Sequence, residues 1–363
     1  MNNIKKIGLT ALAGSLVTLG SAQAGEMSVS GGVNTTLKFG KGGENTSRSI
    51  GADKDVAFTG GGELDNGTTF SMTATTNDAY GISSSTTTIT TPSYGSFTFG
   101  SGTGGASGAY DEEVPQVYEQ VSDGNDTVSN KVGDFMDNNS VMYTTPTLEM
   151  MGASITAHLG YAPQAGDTTV SDGGQQTYSA AVGSGKEAGI TISYDALKVG
   201  VYGAERERTV PQTAAATGMY EHDEFNGSWY AKYSMGPVSI GYSEFFFDAG
   251  VTSAVTSTTA AKTQRGTNAG GIYTGDQMSI AFNVNDNMSI SYTTSDETYD
   301  TQDDAKTATT ADDDVTESID ALQIAYSMGG MSIKAYNMEV TNPGQDDDAA
   351  DQSVTEIALG FAF

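Results

Sequence analysis

Apolar and polar residues alternate along most of this chain, in segments of about ten residues. In the first segment, for example, Val29, Val33, Leu37 and Phe39 fall on one face. A period of two predicts β-strands with one apolar face, and ten residues suit a strand that crosses a membrane at a tilt. Turn sequences such as Asn66-Gly67 separate neighbouring segments. The pattern therefore predicts many antiparallel strands.

The connections between these segments alternate between short turns and long polar stretches. Eight long and seven short connections predict sixteen strands, with both chain ends on the short-turn side. An even strand number, short turns at one end and longer loops at the other are typical of a bacterial outer-membrane barrel. A soluble β-sandwich is the alternative, but its connections have no need to alternate in length. The long stretches are 40–52, 79–82, 102–138, 163–186, 209–223, 249–268, 299–315 and 343–352.

The first 24 residues have the features of a secretory signal peptide. Lys5 and Lys6 precede a short apolar run at 7–19, and a small-x-small cleavage sequence follows at 22–24. We therefore expect a signal peptide at 1–24 and a barrel domain at 25–363. No later stretch is apolar enough to cross a membrane as a helix, so a membrane protein of this sequence has to cross with strands.

The last strand also favours a barrel. Ile357, Leu359, Phe361 and Phe363 share one face, which we expect to contact lipid while the strand pairs with the first one. The alternative is the edge strand of a soluble sheet.

The charge balance excludes one class of partner. Of 16 Lys and Arg residues, two would be lost with the signal peptide, leaving 14 against 45 Asp and Glu. Nucleic acid is excluded, because a polyphosphate needs a basic surface. An acidic surface or pore instead favours cations. There is no cysteine, so no disulfide can stabilise the exported chain.

Two segments beside the longest connection resemble the general diffusion porins of Gram-negative outer membranes. They are Tyr94-Gly-Ser-Phe-Thr-Phe-Gly100 before it and Asn138-Asn-Ser-Val-Met-Tyr-Thr-Thr-Pro146 after it. The resemblance implies an all-β fold, a 16-stranded antiparallel transmembrane β-barrel with its third loop folded into the lumen. The family usually has an Arg directly after the entering strand. Here Ser101-Gly102 stand instead, which puts the basic side of the constriction in doubt.

The same resemblance implies an activity and partners. It predicts passive diffusion of small hydrophilic solutes and ions without a cofactor, in a homotrimer embedded in outer-membrane lipid and lipopolysaccharide. It also implies that the barrel assembly machinery recognises the C-terminal aromatic residues, Phe363 and Phe361, as an insertion signal.

The connection at 102–138 is the predicted constriction loop. It is 37 residues long, and its apolar residues Val114, Val117, Tyr118 and Val121 predict packing inside the barrel. Of its many acids, we expect a subset to reach the narrowest point: Asp111, Glu112, Glu113 and Glu119.

Six basic residues fall in the inward phase of their strands: Lys38, Lys198, Arg206, Arg208, Lys232 and Lys334. Arg206 and Arg208 lie near the outer end of their strand and could belong to the vestibule. In porins of this type a basic wall faces loop acids and sets a transverse field across the pore. Screening decays over about 8–10 Å at physiological salt, so both walls would act on a permeant. The acidic balance predicts cation preference.

Other functions have less support in the sequence. Only His158 and His222 are present, no Cys is available, and no motif frames a catalytic group. Acidic runs such as 312–314 lack the ligand spacing of a calcium loop, and we predict no metal site. Two alternatives remain open: a substrate-selective channel and a plugged barrel acting as a receptor or adhesin. A lumenal aromatic track would support the first, and its candidates are Tyr202, Tyr230, Tyr336 and Phe245.

Overall fold

The computed structural model describes most of the chain beyond residue 25. The described residues are 26–42, 48–101, 105–123, 132, 135–136, 138–165, 182–208, 220–221, 223–248, 251–252, 272–300, 314–346 and 348–363. The predicted signal peptide lies outside them, as do parts of most of the long connections.

Sixteen consecutive strands form one antiparallel sheet, in which each strand pairs with its neighbours in the chain. The sixth strand is interrupted, and both of its pieces pair with the seventh. Outside the barrel sheet, the short strands Tyr220–Glu221 and Val251–Thr252 pair with each other. The barrel strands are β1 Glu26–Lys41, β2 Arg48–Glu63, β3 Thr69–Thr76, β4 Ile82–Thr91, β5 Gly95–Ser101, β6 Asn138–Thr144 and Leu148–Met150, β7 Ala153–Ala162, β8 Val182–Tyr194, β9 Leu197–Arg208, β10 Glu224–Met235, β11 Val238–Asp248, β12 Ile272–Asn285, β13 Met288–Asp300, β14 Val315–Met328, β15 Met331–Thr341 and β16 Gln352–Ala362.

The first and last strands close the sheet into a barrel. The pairing of β1 with β16 runs from Gly32 opposite Ala362 to Lys41 opposite Ser353. Beyond it, Gly31 and Phe363 exchange backbone N–H···O bonds, both 3.0 Å long. A side chain at Gly31 would meet the Asp55 carbonyl oxygen at 2.7 Å, so this close approach requires glycine. The predicted sixteen-stranded antiparallel barrel is confirmed.

The connections follow the predicted order, although their lengths differ from the prediction at two places. Strands β1 and β2 take up most of the predicted loop at 40–52 and leave only 42–47 between them. The connection at 77–81 has five residues, as does the turn at 64–68. It can be this short because Asn77 Oδ1 accepts the N–H groups of Ala79 and Gly81, at 3.1 and 3.0 Å, and fixes a tight turn.

The two faces of the sheet have opposite polarity, with the polar one inside. On β13, Ser291, Thr293 and Glu297 are at most 2% exposed, whereas Ile290 and Tyr292, on either side of Ser291, are 36% and 45% exposed. Alternate residues of a strand point to opposite faces, so the apolar face is the outer surface. This arrangement is expected of a barrel whose solvent is lipid outside and water inside.

The outer apolar belt ends in an acidic row towards the long-connection end. Glu244, Asp276 and Asp296 lie opposite one another on β11, β12 and β13, in the outward phase. Three carboxylates side by side would be costly in hydrocarbon, so the row marks the boundary of the lipid-facing zone.

No helix among the described residues is long and apolar enough to span a membrane.

Leu359→Lys tests the outward assignment. Leu359 is outward and 38% exposed in the apolar part of β16, so a buried cation there is expected to lower the free energy of unfolding by about 2–4 kcal/mol. Thr355→Lys, on the same face of β16 but closer to the long-connection end, is the matched control and is expected to cost roughly 0–1 kcal/mol. Urea unfolding in lipid vesicles, followed by the fluorescence of the single tryptophan Trp229, measures both. Equal costs for the two variants would contradict the assignment.

Candidate functional site: the third loop and the inner wall

The described part of the third loop, residues 105–123, hydrogen-bonds to inward-facing side chains over much of the barrel. At its start, Ala106 N–H donates to Glu187 Oε1 on β8 at 2.8 Å. The Tyr110 hydroxyl lies 2.8 Å from His158 Nδ1 on β7, and its ring stacks on Tyr202 of β9 with centroids 5.1 Å apart. Burial raises the Tyr110 pKa to about 12, so this hydroxyl keeps its proton.

The loop then contacts successive strands of the wall. Ser279 Oγ on β12 donates to Pro115 O at 2.7 Å, and Val117 N–H donates to Ser291 Oγ on β13 at 3.2 Å. On β14, Gln323 accepts from Tyr118 N–H at 2.8 Å and donates to Glu119 O at 2.7 Å.

Two glycines of the wall make room for the loop. A Cβ at Gly189 on β8 would overlap the Tyr110 ring, and one at Gly241 on β11 would overlap Pro115. Glycine at these two positions therefore allows the loop to lie close to the wall.

The Glu112 side chain holds parts of the loop together through hydrogen bonds. Its side chain is 6% exposed, and its carboxylate accepts N–H bonds from Val121 and Ser122 at 3.1 and 3.3 Å. Gln277 on β12 donates to the same carboxylate at 2.7 Å. Glu112 thus ties two parts of the loop to each other and to the wall, and a permeant would find its carboxylate already occupied.

Glu113 pairs with two lysines of the wall. It accepts from Lys232 Nζ on β10, and Lys198 Nζ on β9 lies 3.7 Å from the same oxygen. Both ammonium groups also lie 5.4 Å from the centroid of the Tyr230 ring. We define Glu113, Lys198 and Lys232 as the basic cluster, since two cations share one loop carboxylate.

Glu119 belongs to a cluster on the β15–β16 wall in which acidic groups outnumber basic groups. Burial raises its pKa, and the charges of Glu356 and Asp123 raise it further, while Lys334 opposes the shift. Tyr118 next to it donates its hydroxyl proton to Glu356, and its ring lies 5.2 Å from Lys334 Nζ. We define Glu119, Asp123, Glu356 and Lys334 as the acidic cluster.

The remaining predicted residues have separate positions. Asp111 Oδ1 accepts the N–H of Val132, within the loop. Arg206 pairs with Glu224 and lies 4.6 Å from the centroid of the Phe135 ring. Lys38 lies opposite Glu356 on the inner face at the β1–β16 seam. Arg208 is on β9, but its side chain lies outside the described residues, as does His222.

The expected arrangement, with basic wall residues facing loop acids across a gap, differs from these contacts. Lys198, Lys232, Arg206 and Lys334 all touch the loop or lie beside it. The wall that the described part of the loop leaves uncontacted has hydroxyl groups, with Asp53 and Asp55 on the same face of β2. Thr59 pairs with Thr73 and Thr88 with Thr98, both at 3.1 Å, across β2–β5.

The four inward aromatics that could have formed a track for a substrate are buried. Tyr202, Tyr230, Tyr336 and Phe245 are at most 7% exposed and belong to the packed clusters that include loop residues Tyr110 and Tyr118. Their role is to seat the loop. No group of three or more His, Asp or Glu side chains among the described residues is arranged to hold a metal ion.

Some important residues carried no signal in the sequence. Glu187, Glu356 and Gln277 were inward by parity, but nothing marked them as partners of a loop more than eighty residues away. Gly189 and Gly241 resembled many other strand glycines.

The chain is similar to known proteins in both sequence and structure. A family model described as Gram-negative porin matches residues 8–302. Comparison with curated proteins gives no match. OmpF of Salmonella typhi, in complex with daunomycin, is similar in structure with a TM-score of 0.65 and 10% identity, over 93% of this chain and 97% of that one.

Two further solved structures are similar. An anion-selective porin from Comamonas acidovorans has a TM-score of 0.60 and 12% identity, over 93% of this chain and 100% of that one. OmpT of Vibrio cholerae, in a trimer form, has a TM-score of 0.56 and 14% identity, over 94% and 100%. At these identities the similarity concerns the fold.

The variant Glu112→Ala tests whether the Glu112 carboxylate holds the loop together. A hydrogen bond to a charged group contributes about 1.5–3 kcal/mol, so the amides of Val121 and Ser122 are expected to exchange hydrogen roughly 10–100 times faster in the variant. Hydrogen exchange with mass spectrometry on the folded barrel measures this. Asp123→Ala removes the neighbouring carboxylate, which accepts neither of these N–H groups, and serves as the control. Unchanged protection at 121–122 would show that Glu112 does not hold the loop.

Proposed function

We propose that this member of the Gram-negative porin family conducts small hydrophilic solutes and ions passively, with a preference for cations. The chain is a multi-pass barrel channel of the bacterial outer membrane. Passive diffusion needs no energy source, cofactor or catalytic group.

The contacts of the third loop carry this proposal. Residues 105–123 contact the inner face from β7 through β16, and their described contacts leave the wall of β2–β5 uncovered. We infer that the loop lies in the lumen and narrows it, and that permeants pass between the loop and this wall. Threonine and serine hydroxyls replace part of the hydration of either ion sign, so they select little themselves, whereas Asp53 and Asp55 on the same face of β2 add negative charge.

Selectivity then depends on the two charged clusters. In the basic cluster one carboxylate offsets two ammonium groups only in part, whereas the acidic cluster has three carboxylates beside Lys334, with Lys38 opposite Glu356 across the seam. The excess negative charge near Glu119, together with 45 acidic residues in the chain, favours cations. Of the predicted constriction acids, we assign the selective role to Glu119, a supporting role to Glu113 and structural roles to Glu112 and Asp111.

Partners follow from the family and from the surface. We propose a homotrimer, in outer-membrane lipid, with insertion by the barrel assembly machinery through Phe361 and Phe363. Phe361 and Phe363 are 46% and 74% exposed on the outer face, which leaves them accessible for recognition. We also propose that lipopolysaccharide contacts the outward acidic row through bridging cations.

A substrate-selective channel is the weaker candidate, because the aromatic residues that would guide a sugar or peptide are buried under the loop. A plugged receptor is the other alternative, and conductance distinguishes it.

Single-channel recording in a planar bilayer under a KCl gradient tests the proposal. We expect large conductance steps and a cation-selective reversal potential. Glu119→Gln is expected to lower the cation-to-anion permeability ratio roughly twofold, because a unit charge about 8 Å from a permeant contributes about 0.5 kcal/mol in water. Glu339→Gln, which removes an exposed outward carboxylate of β15, is expected to leave the ratio unchanged. Absent conductance, or anion selectivity in the unaltered protein, would overturn the proposal.

The pH dependence provides an independent check. The pKa of the Glu119 carboxyl is raised by burial and by Glu356, and that of Asp123 by burial and by Glu112. Both groups therefore take up protons at a higher pH than free carboxyls do, and each loses its charge as the pH falls through its raised pKa. Cation preference is expected to start falling above the ordinary carboxyl range of about 4. In Glu119→Gln the reversal potential should change less over the same pH range. A potential that is constant down to about pH 4 in the unaltered protein would exclude these groups.

A further inference from the structure

Two buried glutamates lie side by side on the inner wall. Glu297 on β13 and Glu317 on β14 are directly opposite in the register, and each is 1% exposed. Directly opposed residues on neighbouring strands have Cβ atoms about 4.5–5.5 Å apart. Burying two carboxylates at that distance is costly, since each loses hydration and like charges repel.

The eighth connection, residues 342–351, closes over this pair. Gly344 N–H donates to Glu317 Oε2 at 2.6 Å, and Gln345 Nε2 donates to Glu297 Oε1 at 2.7 Å. Gln345 has a φ of 52°, a left-handed conformation that costs a non-glycine residue free energy. The backbone is thus bent so that successive residues each reach one glutamate.

Gln345 also brings an unused oxygen to the pair. Its side chain is fully buried, and its Oε1 has no hydrogen-bond partner. Rotating the amide would not resolve this, because the rotation would place the carbonyl oxygen against the Glu297 carboxylate. A buried acceptor without a donor is rare, and it calls for a partner with positive charge or a proton to give.

We propose that Glu297, Glu317 and Gln345 Oε1 bind one divalent cation, with Ca²⁺ as the preferred ion. Carboxylate and amide oxygens are the ligands that Ca²⁺ takes, and water completes its coordination. A divalent ion offsets the repulsion of the two carboxylates and gives the amide oxygen its partner. Because Gln345 belongs to the eighth connection, the ion fastens this connection to the inner wall at the long-connection end of the barrel.

Calcium titration of the full-length barrel in detergent, freed of metal with EDTA, tests the proposal. Isothermal titration with CaCl2 should show one saturable site above the weak, unsaturable attraction of the acidic surface, and Ca²⁺ should raise Tm by mass action. MgCl2 should bind more weakly, because Mg²⁺ demands nearly ideal octahedral geometry.

Three variants make the titration specific. Glu317→Gln should weaken the saturable site at least tenfold. Gln345→Leu, which keeps both carboxylates, should weaken it several-fold and reduce the Ca²⁺-dependent rise in Tm. Glu339→Gln removes the same charge from the outward face of the adjacent strand and should bind Ca²⁺ as the unaltered protein does. The heat-dependent shift in gel mobility checks that each variant is folded.

Three results would overturn the proposal: no saturable Ca²⁺ binding by the unaltered protein, equal binding by Glu317→Gln, or loss of binding in Glu339→Gln equal to that in Glu317→Gln. The first would indicate that the glutamates share a proton instead of an ion, the second that the saturable site lies elsewhere, and the third that Ca²⁺ only collects on the acidic surface.

Discussion

The hydrogen bonds that join β16 to β1 are the constraint on which the rest of this structure depends. In hydrocarbon an unpaired backbone N–H or C=O costs several kcal/mol, so a sheet can cross the membrane only when it has no open edge. Phe363 and Gly31 extend this seam beyond the last paired strand residues, and Asp55 leaves no space for a side chain at Gly31. The Phe363 ring, 3.1 Å from where a Cβ of Gly31 would lie, adds to this restriction, so closure favours glycine at position 31.

Closure also determines the size of the interior and hence the need for the third loop. A sixteen-stranded barrel is too wide for side chains of opposite walls to meet, so inward polar groups would face only water. The third loop offers them partners at short range: Ser279, Ser291 and Gln323 each bond to its backbone. The loop in turn gains a surface on which its own apolar residues Tyr110, Tyr118 and Val121 are buried. Wall and loop therefore stabilise each other.

The strand plan was predictable from the sequence because it depends on local alternation. Parity assigned Lys198, Lys232 and Lys334 to the inner face, since the period of two fixes which way each side chain points. The contacts of the loop were not predictable in the same way. Whether Glu113 faces Lys232 across a gap or bonds to it depends on how closely the backbones approach, and Gly241 controls that distance without any distinctive pattern around it. The burial of Tyr202 and Tyr230 also depends on how closely the loop approaches the wall. The sequence could therefore not show that these two tyrosines support the loop and do not line a substrate track.

The inner carboxylates consequently have two different tasks, and their number alone does not determine selectivity. Glu187 accepts the N–H of Ala106 in the third loop, and Glu317 accepts that of Gly344 in the eighth connection. In both cases a wall carboxylate accepts a backbone N–H of a loop that would otherwise be hydrated. Such groups hold the loops in place, whereas the proposed selective role of Glu119 depends on charge that is offset only in part. A porin can thus have a very acidic sequence and still owe its ion preference to a few carboxylates, because the others are used in fixing the shape of the lumen.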